Sequence, residues 1–411
     1  MPKIKAFRGW RPAPDKVLEV VIKPFDTFYT AKARTILLSN PYSFLHTIEP
    51  LIDNPYMRGS REEIIFKKAK EHFDEFTENG VLVQDPEPAI YIYRTINRGV
   101  TQTGIWTCTA LDDYLDNTLK KHEYTRADRE KDLIEYLQNT GIDANPVLVT
   151  YMPKPEIAEI ITRATAHPPH THFLADGQEH FLWKLDDEQT IQQLVGLFAG
   201  LPGSYIADGH HRAAASSLSG IERRKNNLRH RGNEEYNYFS TLYFSTDQLI
   251  IFEFQRLVKD LNGLSEEEFI RKLEAHFELK PSDAGKPTSL HQFKLYLKDR
   301  WYELNAKPHT FDQKNPVQRL DVSILQDYVL EPMLGISNPR TDQRIRFVGG
   351  VVPVEDVQGM VDQGEMKVAF VLHPTSIEEL IEVADSGNVM PPKSTWFEPK
   401  LHCGLVVHQV D

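Results

Sequence analysis

The segment that most constrains the fold is 203–217, Gly-Ser-Tyr-Ile-Ala-Asp-Gly-His-His-Arg-Ala-Ala-Ala-Ser-Ser. Tyr205-Ile206-Ala207 is apolar and strand-like, and Asp208-Gly209 is a turn signal. From Arg212 onward, Ala213, Ala214, Ala215 and Leu218 favour helix. A strand that passes through a tight turn into a helix aims backbone N–H groups and the positive end of the helix dipole at one point, which suits an anion. His210, His211 and Arg212 add side-chain donors there, with Gly209 at the turn. Arg favours bidentate phosphate contact, and the alanines allow close packing behind the turn. The plainer reading is an N-cap Asp with solvated basic neighbours. Two histidines and an arginine at one helix start favour the functional reading.

Around this segment, strand and helix patterns alternate without a strict βαβ rhythm. That predicts a mixed α/β (α+β) fold rather than a doubly wound sheet. "VLEVVIKPF" (17–25) reads as a strand closed by Pro24, and Thr30–Leu38 as a short helix ended by Asn40-Pro41. Residues 61–79 carry Ile64, Ile65, Phe66, Ala69, His72, Phe73 and Phe76 at helical spacing, with Asn79-Gly80 as C-cap. "PAIYIYRTI" (88–96) and "GIWTCTAL" (104–111) form a hairpin, and "PVLVTYM" (146–152) is a buried strand. The segments 250–261 and 265–277 open a new unit as two helices, with Ser265 and Glu268 as a capping box that starts the second. Strands follow at 292–297, 300–304, 344–348 and 367–372, and a helix around 321–334. The length of 411 residues and this change of pattern predict two domains, 1–245 and 246–411, the second contributing a loop to the site.

Composition narrows the function classes. The net charge of −12 opposes binding to nucleic acid, whose phosphates supply most of the non-specific affinity. No apolar run reaches the roughly 18 residues of a membrane span, and the N-terminus shows no secretory pattern. Cys108 and Cys403 lie far apart, which predicts two reduced thiols in a cytoplasmic protein. The partners expected are small-molecule substrates, with no nucleic acid and no membrane; a homodimer is allowed.

Three further clusters carry candidate chemistry. In "KKHEYTRADREK" (120–131), His122 and Arg126 would be phosphate ligands and Glu123 a general base for a hydroxyl substrate. Pattern alone favours a solvated helix with a Glu123–Arg126 pair. In "MPPKSTWFEPK" (390–400), the prolines predict an extended loop. There Lys393, Ser394 and Thr395 would hold an oxyanion and Trp396 and Phe397 would wall a pocket, against the alternative of a surface loop anchored by Trp396. His167, His170, His172 and His180 are too irregularly spaced to favour a metal site over a polar loop. The phosphate-binding loop of P-loop enzymes, the Gly-rich dinucleotide turn, the nucleophile elbow and H-E-x-x-H are all absent from the sequence.

Six segments then resemble the domain-of-unknown-function 1015 (DUF1015) family, in order and almost end to end. They are Phe7-Arg8-Gly9-Trp10-Arg11-Pro12, Asn40-Pro41-Tyr42-Ser43-Phe44-Leu45-His46, Gln102-Thr103-Gly104, Lys121-His122-Glu123-Tyr124-Thr125-Arg126, Ala207 to Arg212, and Pro391 to Lys400. Cys403 stands where that family's pattern leads one to expect serine. Gly209-His210-His211-Arg212 also resembles the G-x-x-R box of the ParB and sulfiredoxin superfamily. His210 stands where sulfiredoxin has its cysteine nucleophile, which excludes sulfinic-acid repair. The resemblance implies a ParB/sulfiredoxin-like N-terminal part and, for proteins of this kind, phosphorylation of free L-serine with pyrophosphate as co-substrate and Mg²⁺ as cofactor. On that implication Gly209, His210, His211, Arg212, His122, Arg126 and Lys393 bind phosphate, and Glu123 and Asp208 are the catalytic carboxylates. Ser394, Thr395 and Trp396 bind substrate. The alternatives are an ATP- or ADP-dependent kinase using the same site and a non-catalytic nucleotide-binding regulatory module.

Overall fold

In a computed structural model, which describes residues 1–23, 35, 36, 38–53, 55–57 and 62–411, the chain is a mixed α/β protein. It divides into two compact units, Met1–Leu249 with Pro399–Asp411, and Ile250–Glu398. The expected domain 246–411 is therefore corrected at its end, because the last thirteen residues return to the first unit. Gln409 pairs with Ile142, His408 with Asp143, and Val407 bridges Trp10. No helix among the described residues is long and apolar enough to cross a membrane.

In the first unit, α1 (Glu62–Glu78) follows the predicted periodicity, with Ile65, Ala69, Phe73 and Phe76 buried and Gly80 at φ +69°, while Ile64 is 44% exposed. The hairpin expected from sequence is β1 (Ile90–Asn97) and β2 (Val100–Ala110). The remaining elements are β3 (Leu119–Lys120), α2 (Ala127–Thr140), β4 (Val147–Tyr151), β5 (Thr171–Ala175), β6 (Gln178–Leu185), β7 (Ser204–Asp208), α3 (His210–Asn226) and β8 (Tyr238–Ser245). They make a nine-stranded sheet in the order β3-β7-β4-β8-β2-β1-β6-β5, with Ile4–Lys5 added beside β2. Only the β3–β7 and β4–β8 pairs are parallel. Ile90, Ile92, Ile105, Val147, Val149 and Ile206 are fully or almost fully buried in one core with Ala213 of α3. Each such branched side chain contributes about 1.5–3 kcal/mol relative to exposure.

Two expectations fail here. Val17–Val20 is a single helical turn and not a strand. Val17 and Val20, three apart, both reach the core while Leu18 is 65% exposed, so packing overrides the β preference of valine. The helix placed at 30–38 falls largely outside the described residues.

In the second unit, the segment opening it at 250–261 contains not a helix but two strands, Ile250–Phe252 and β9 (Phe254–Val258). The capping box then starts α4 (Glu266–His276), with both reciprocal hydrogen bonds formed. β10 (Phe277–Ser282), β11 (Gln292–Leu297), β12 (Arg300–Ala306), β13 (Ile345–Gly349) and β14 (Val368–Val371) complete an antiparallel sheet in the order β10-β12-β11-β14-β9-β13. The helix expected at 321–334 is helical over Asp321–Leu330.

Candidate functional site

The site is assembled where two parallel neighbours end. β3 pairs with β7 through Ser204↔Leu119 and Tyr205↔Lys120, so the loop 121–126 leaves the sheet beside the turn 208–211. The pairing of β7 with β4 slips between Ile206 and Asp208, and this irregularity re-aims the end of the strand. Gly209 takes φ +99°, which only glycine adopts cheaply, and a Cβ there would lie 2.6 Å from Arg212 Nη2. The glycine thus allows both the turn and the inward fold of the Arg212 fork. Behind the turn, Ala213, Ala214 and Ala215 are buried, and a Cβ on Gly220 would lie 2.5 Å from Tyr236 O, so α3 packs closely on its neighbours.

Residues 121–126 form a loop and not the charge-laced helix that pattern favoured; α2 begins at Ala127, with Arg126 as its N-cap. The Glu123–Arg126 pair gives way to an Arg126–Asp128 ion pair at 2.5 Å. The loop is instead tied to the turn. The backbone N–H of His122 donates to His210 Nε2 at 3.4 Å and that of Arg126 to His211 Nε2 at 3.1 Å. The His122 and His210 rings meet edge-on with centroids 4.4 Å apart. With Nε2 of His210 accepting, its Nδ1 carries the proton, and that atom lies 4.0 Å from Glu123 Oε2.

Asp208 Oδ2 lies 3.7 Å from Arg212 Nη2 and 3.5 Å from Lys400 Nζ. Burial acts to raise its pKa, but Lys400, Arg212 and His210 outweigh it and hold the carboxyl well below the usual range. Half of the Asp208 side chain is nevertheless exposed. His122, 3% exposed, is pushed down by burial to about 4, against the opposing charge of Asp208 and a hydrogen bond at the Ile206 backbone. Burial and His122 likewise hold His210 well below its ordinary range. Both rings are neutral at pH 7.

The first unit therefore brings together Glu123, Asp208, Gly209, His210, His211, Arg212, His122 and the Arg126 backbone. Burial takes His122 and His210 out of direct reach of an exposed anion; their rings set the loop and Glu123 against the turn. Lys400 was not singled out by sequence reasoning, although it closes the 390–400 motif and is the cation that flanks Asp208. Its signal was its place at the end of that motif, just past the Pro399 that returns the chain to the first unit.

Lys393, Ser394, Thr395 and Trp396 belong to the second unit. The Ser394 hydroxyl donates to Pro391 O at 2.6 Å and so closes its own turn. Trp396 lies on Gly349, where a Cβ would come within 2.7 Å of the indole, and meets Phe254 edge-on at 5.5 Å, so it packs on its own sheet. Among the described residues no group of three or more His, Cys, Asp or Glu side chains is arranged to hold a metal.

A family model described as "Protein of unknown function (DUF1015)" matches residues 4–323. No curated protein matches the chain. Among solved structures, a free serine kinase in complex with AMP aligns over 72% of this chain and 86% of its own, at 14% identity and a TM-score of 0.36. A conserved hypothetical protein from Pyrococcus furiosus aligns over 72% and 90%, at 15% identity and a TM-score of 0.35. A C-terminally truncated SbnI from Staphylococcus aureus aligns over 72% and 84%, at 12% identity and a TM-score of 0.37.

Proposed function

The chain belongs to the DUF1015 family, and from the residues gathered at its strand–turn–helix we propose that it is a phosphotransferase that makes O-phospho-L-serine from L-serine and pyrophosphate. One observation carries this reading. Two carboxylates, Glu123 and Asp208, stand at the same helix start as Arg212, Lys400 and His211, in contact with His210 and Arg212. Asp208 alone is enough to position the cations of a site that only binds an anion, whereas transfer to a hydroxyl requires a proton acceptor, the role open to the second carboxylate, Glu123.

The donor's phosphates would lie over the N–H groups of the first turn of α3, with Arg212 and His211 as side-chain donors. Serine Oγ attacks the terminal phosphorus, the new O–P bond forms as the bridging P–O bond breaks, and orthophosphate leaves. The hydroxyl proton passes to Glu123. Asp208, tied to Lys400 and Arg212, is a poor base and serves to position those cations. His122 and His210, neutral and buried, keep Glu123 facing the turn. Mg²⁺ fits this donor set, since it is held by one or two carboxylates and by phosphate oxygens; Asp208, which does not take the proton, would hold it, and it would neutralise developing charge on the phosphates. Pyrophosphate has no base or ribose to recognise, so a compact cationic turn suffices.

The test is phosphoserine formation from L-serine and Mg²⁺ with pyrophosphate, ADP or ATP supplied in parallel, read by mass spectrometry. Product from pyrophosphate alone is expected, with Glu123→Gln slower by about 10²–10⁴-fold. Product only from ATP or ADP would replace the donor, and tight nucleotide binding without product would make this a regulatory module.

A further inference from the structure

The second unit buries a charge that its own fold does not neutralise. Arg256, in the middle of β9, is 2% exposed. Its Nη2 donates to Lys393 O at 2.9 Å and its Nη1 to Phe254 O, while the ring of Phe347 covers the guanidinium at 5.5 Å. Among the described residues it pairs with no carboxylate. Burial lowers its pKa to about 9, which still leaves it charged at neutral pH. A buried cation without a counter-ion is strongly unfavourable. Polar partners supplied only by two carbonyls offset this in part.

The loop that this guanidinium holds has a second cation. Lys393 is exposed and takes φ +57°, a conformation uncommon for a lysine. Its ammonium stands 5.2 Å from the centre of the Phe254 ring and, among the described residues, also lacks a carboxylate partner. Two further hydrogen bonds fix the loop, from Ser394 Oγ to Pro391 O and from Thr375 Oγ1 to Ser394 O at 3.4 Å. In a chain of net charge −12, two adjacent cations left unpaired around one strained, anchored loop form a place prepared for negative charge.

We propose that the Pro391–Thr395 loop of the second unit binds a phosphate-type anion through Lys393, and that Arg256 is its positioning residue, holding the Lys393 carbonyl from beneath. Arginine suits this place because Nη1 and Nη2 of its rigid fork each reach one carbonyl, of Phe254 and of Lys393. The inference rests on Lys393 as a phosphate ligand and not on phosphoryl transfer by the first unit.

The experiment is a double-mutant cycle on the full chain, read as affinity for inorganic pyrophosphate by calorimetry without serine, so that turnover plays no part. Lys393→Ala and Arg256→Gln are each expected to weaken binding by about tenfold, as loss of a charged hydrogen bond does. The double variant should be no weaker than Lys393→Ala alone, because Arg256 acts through Lys393. Thermal melts report the fold. Should Arg256→Gln fail to fold, Arg256→Lys carries the test, keeping the buried charge while losing one carbonyl, with a smaller loss that likewise vanishes in the Lys393→Ala background. Wild-type affinity in Lys393→Ala, or losses that simply multiply in the double variant, would overturn the proposal. Coupling between the two positions with no phosphoserine from any donor would leave the loop standing and remove the transfer reaction. Turnover with a silent Lys393→Ala would do the reverse.

Discussion

Replacing His122 by glutamine tests whether the centre of the first unit depends on a neutral, buried imidazole. Burial takes the His122 pKa from 6.5 to about 4. Above pH 6.5 the folded and unfolded rings are both neutral, and the group's contribution is complete. As pH falls through 6.5 the unfolded ring gains a proton that the folded ring refuses, so stability declines until about pH 4, where both are charged. At about 1.4 kcal/mol per pH unit the whole loss is about 3 kcal/mol, of which about 2 kcal/mol falls between pH 7.5 and 5. His122→Gln keeps a side-chain donor for the Ile206 backbone and does not touch the His122 N–H that serves His210. His180 and His402, held low by burial as well, are present in both proteins and cancel in the comparison. Native-state hydrogen exchange of the α3 amides at the two pH values reads the opening free energy of this unit without requiring both units to unfold together. The variant should lose about 2 kcal/mol less than the wild type on acidification. Parallel losses in the two proteins would refute the buried-imidazole argument.

Other perturbations address the turn itself. Gly209→Ala should cost about 1–2 kcal/mol in thermal or urea unfolding of the unit, the penalty of a Cβ at positive φ, and should weaken pyrophosphate binding because the Arg212 fork must move. An alanine variant with wild-type affinity would remove Arg212 from the donor site. Lys400→Met removes one of the charges holding the Asp208 carboxyl low. Such a depressed carboxyl stabilises the fold above its unfolded pKa and loses that contribution only as pH falls through its folded value, so the variant's deficit in melting temperature should persist from pH 7 through the ordinary carboxylate range and fade only below it, where the folded Asp208 takes up its proton. A deficit independent of pH would mean that Lys400 only packs.

Much of this was legible in local pattern. The hairpin at 90–110, the long helix at 62–78, the strand before Asp208 and the helix after Gly209 each follow from alternation, helical spacing or a glycine turn. What misled was context. Val17–Val20 has the residues of a strand but the spacing of two buried positions on one helical turn. The run 250–261 has apolar positions compatible with either period, and sheet partners on both sides decide it. Charge pattern made 120–131 a helix, whereas β3 must first pair in parallel with β7, and that pairing extends the loop past the turn. Lys400 escaped notice because its partner is 192 residues away, a distance that no local rule spans.

The return of Pro399–Asp411 to the first unit sets an order of events during synthesis. Chains emerge N-terminus first, and domains generally fold as they appear. A ribosome-bound chain that has reached Glu398 has completed α3 and the whole second unit, yet Ile142–Asp143 lacks its strand partner, Trp10 lacks both its bridge to Val407 and the Gln409 acceptor of its indole, and Asp208 lacks Lys400. The carboxylate at the helix start is therefore given its second cation only when Pro399–Asp411 docks, and until then a nascent chain carries the turn without the charge balance of the finished site.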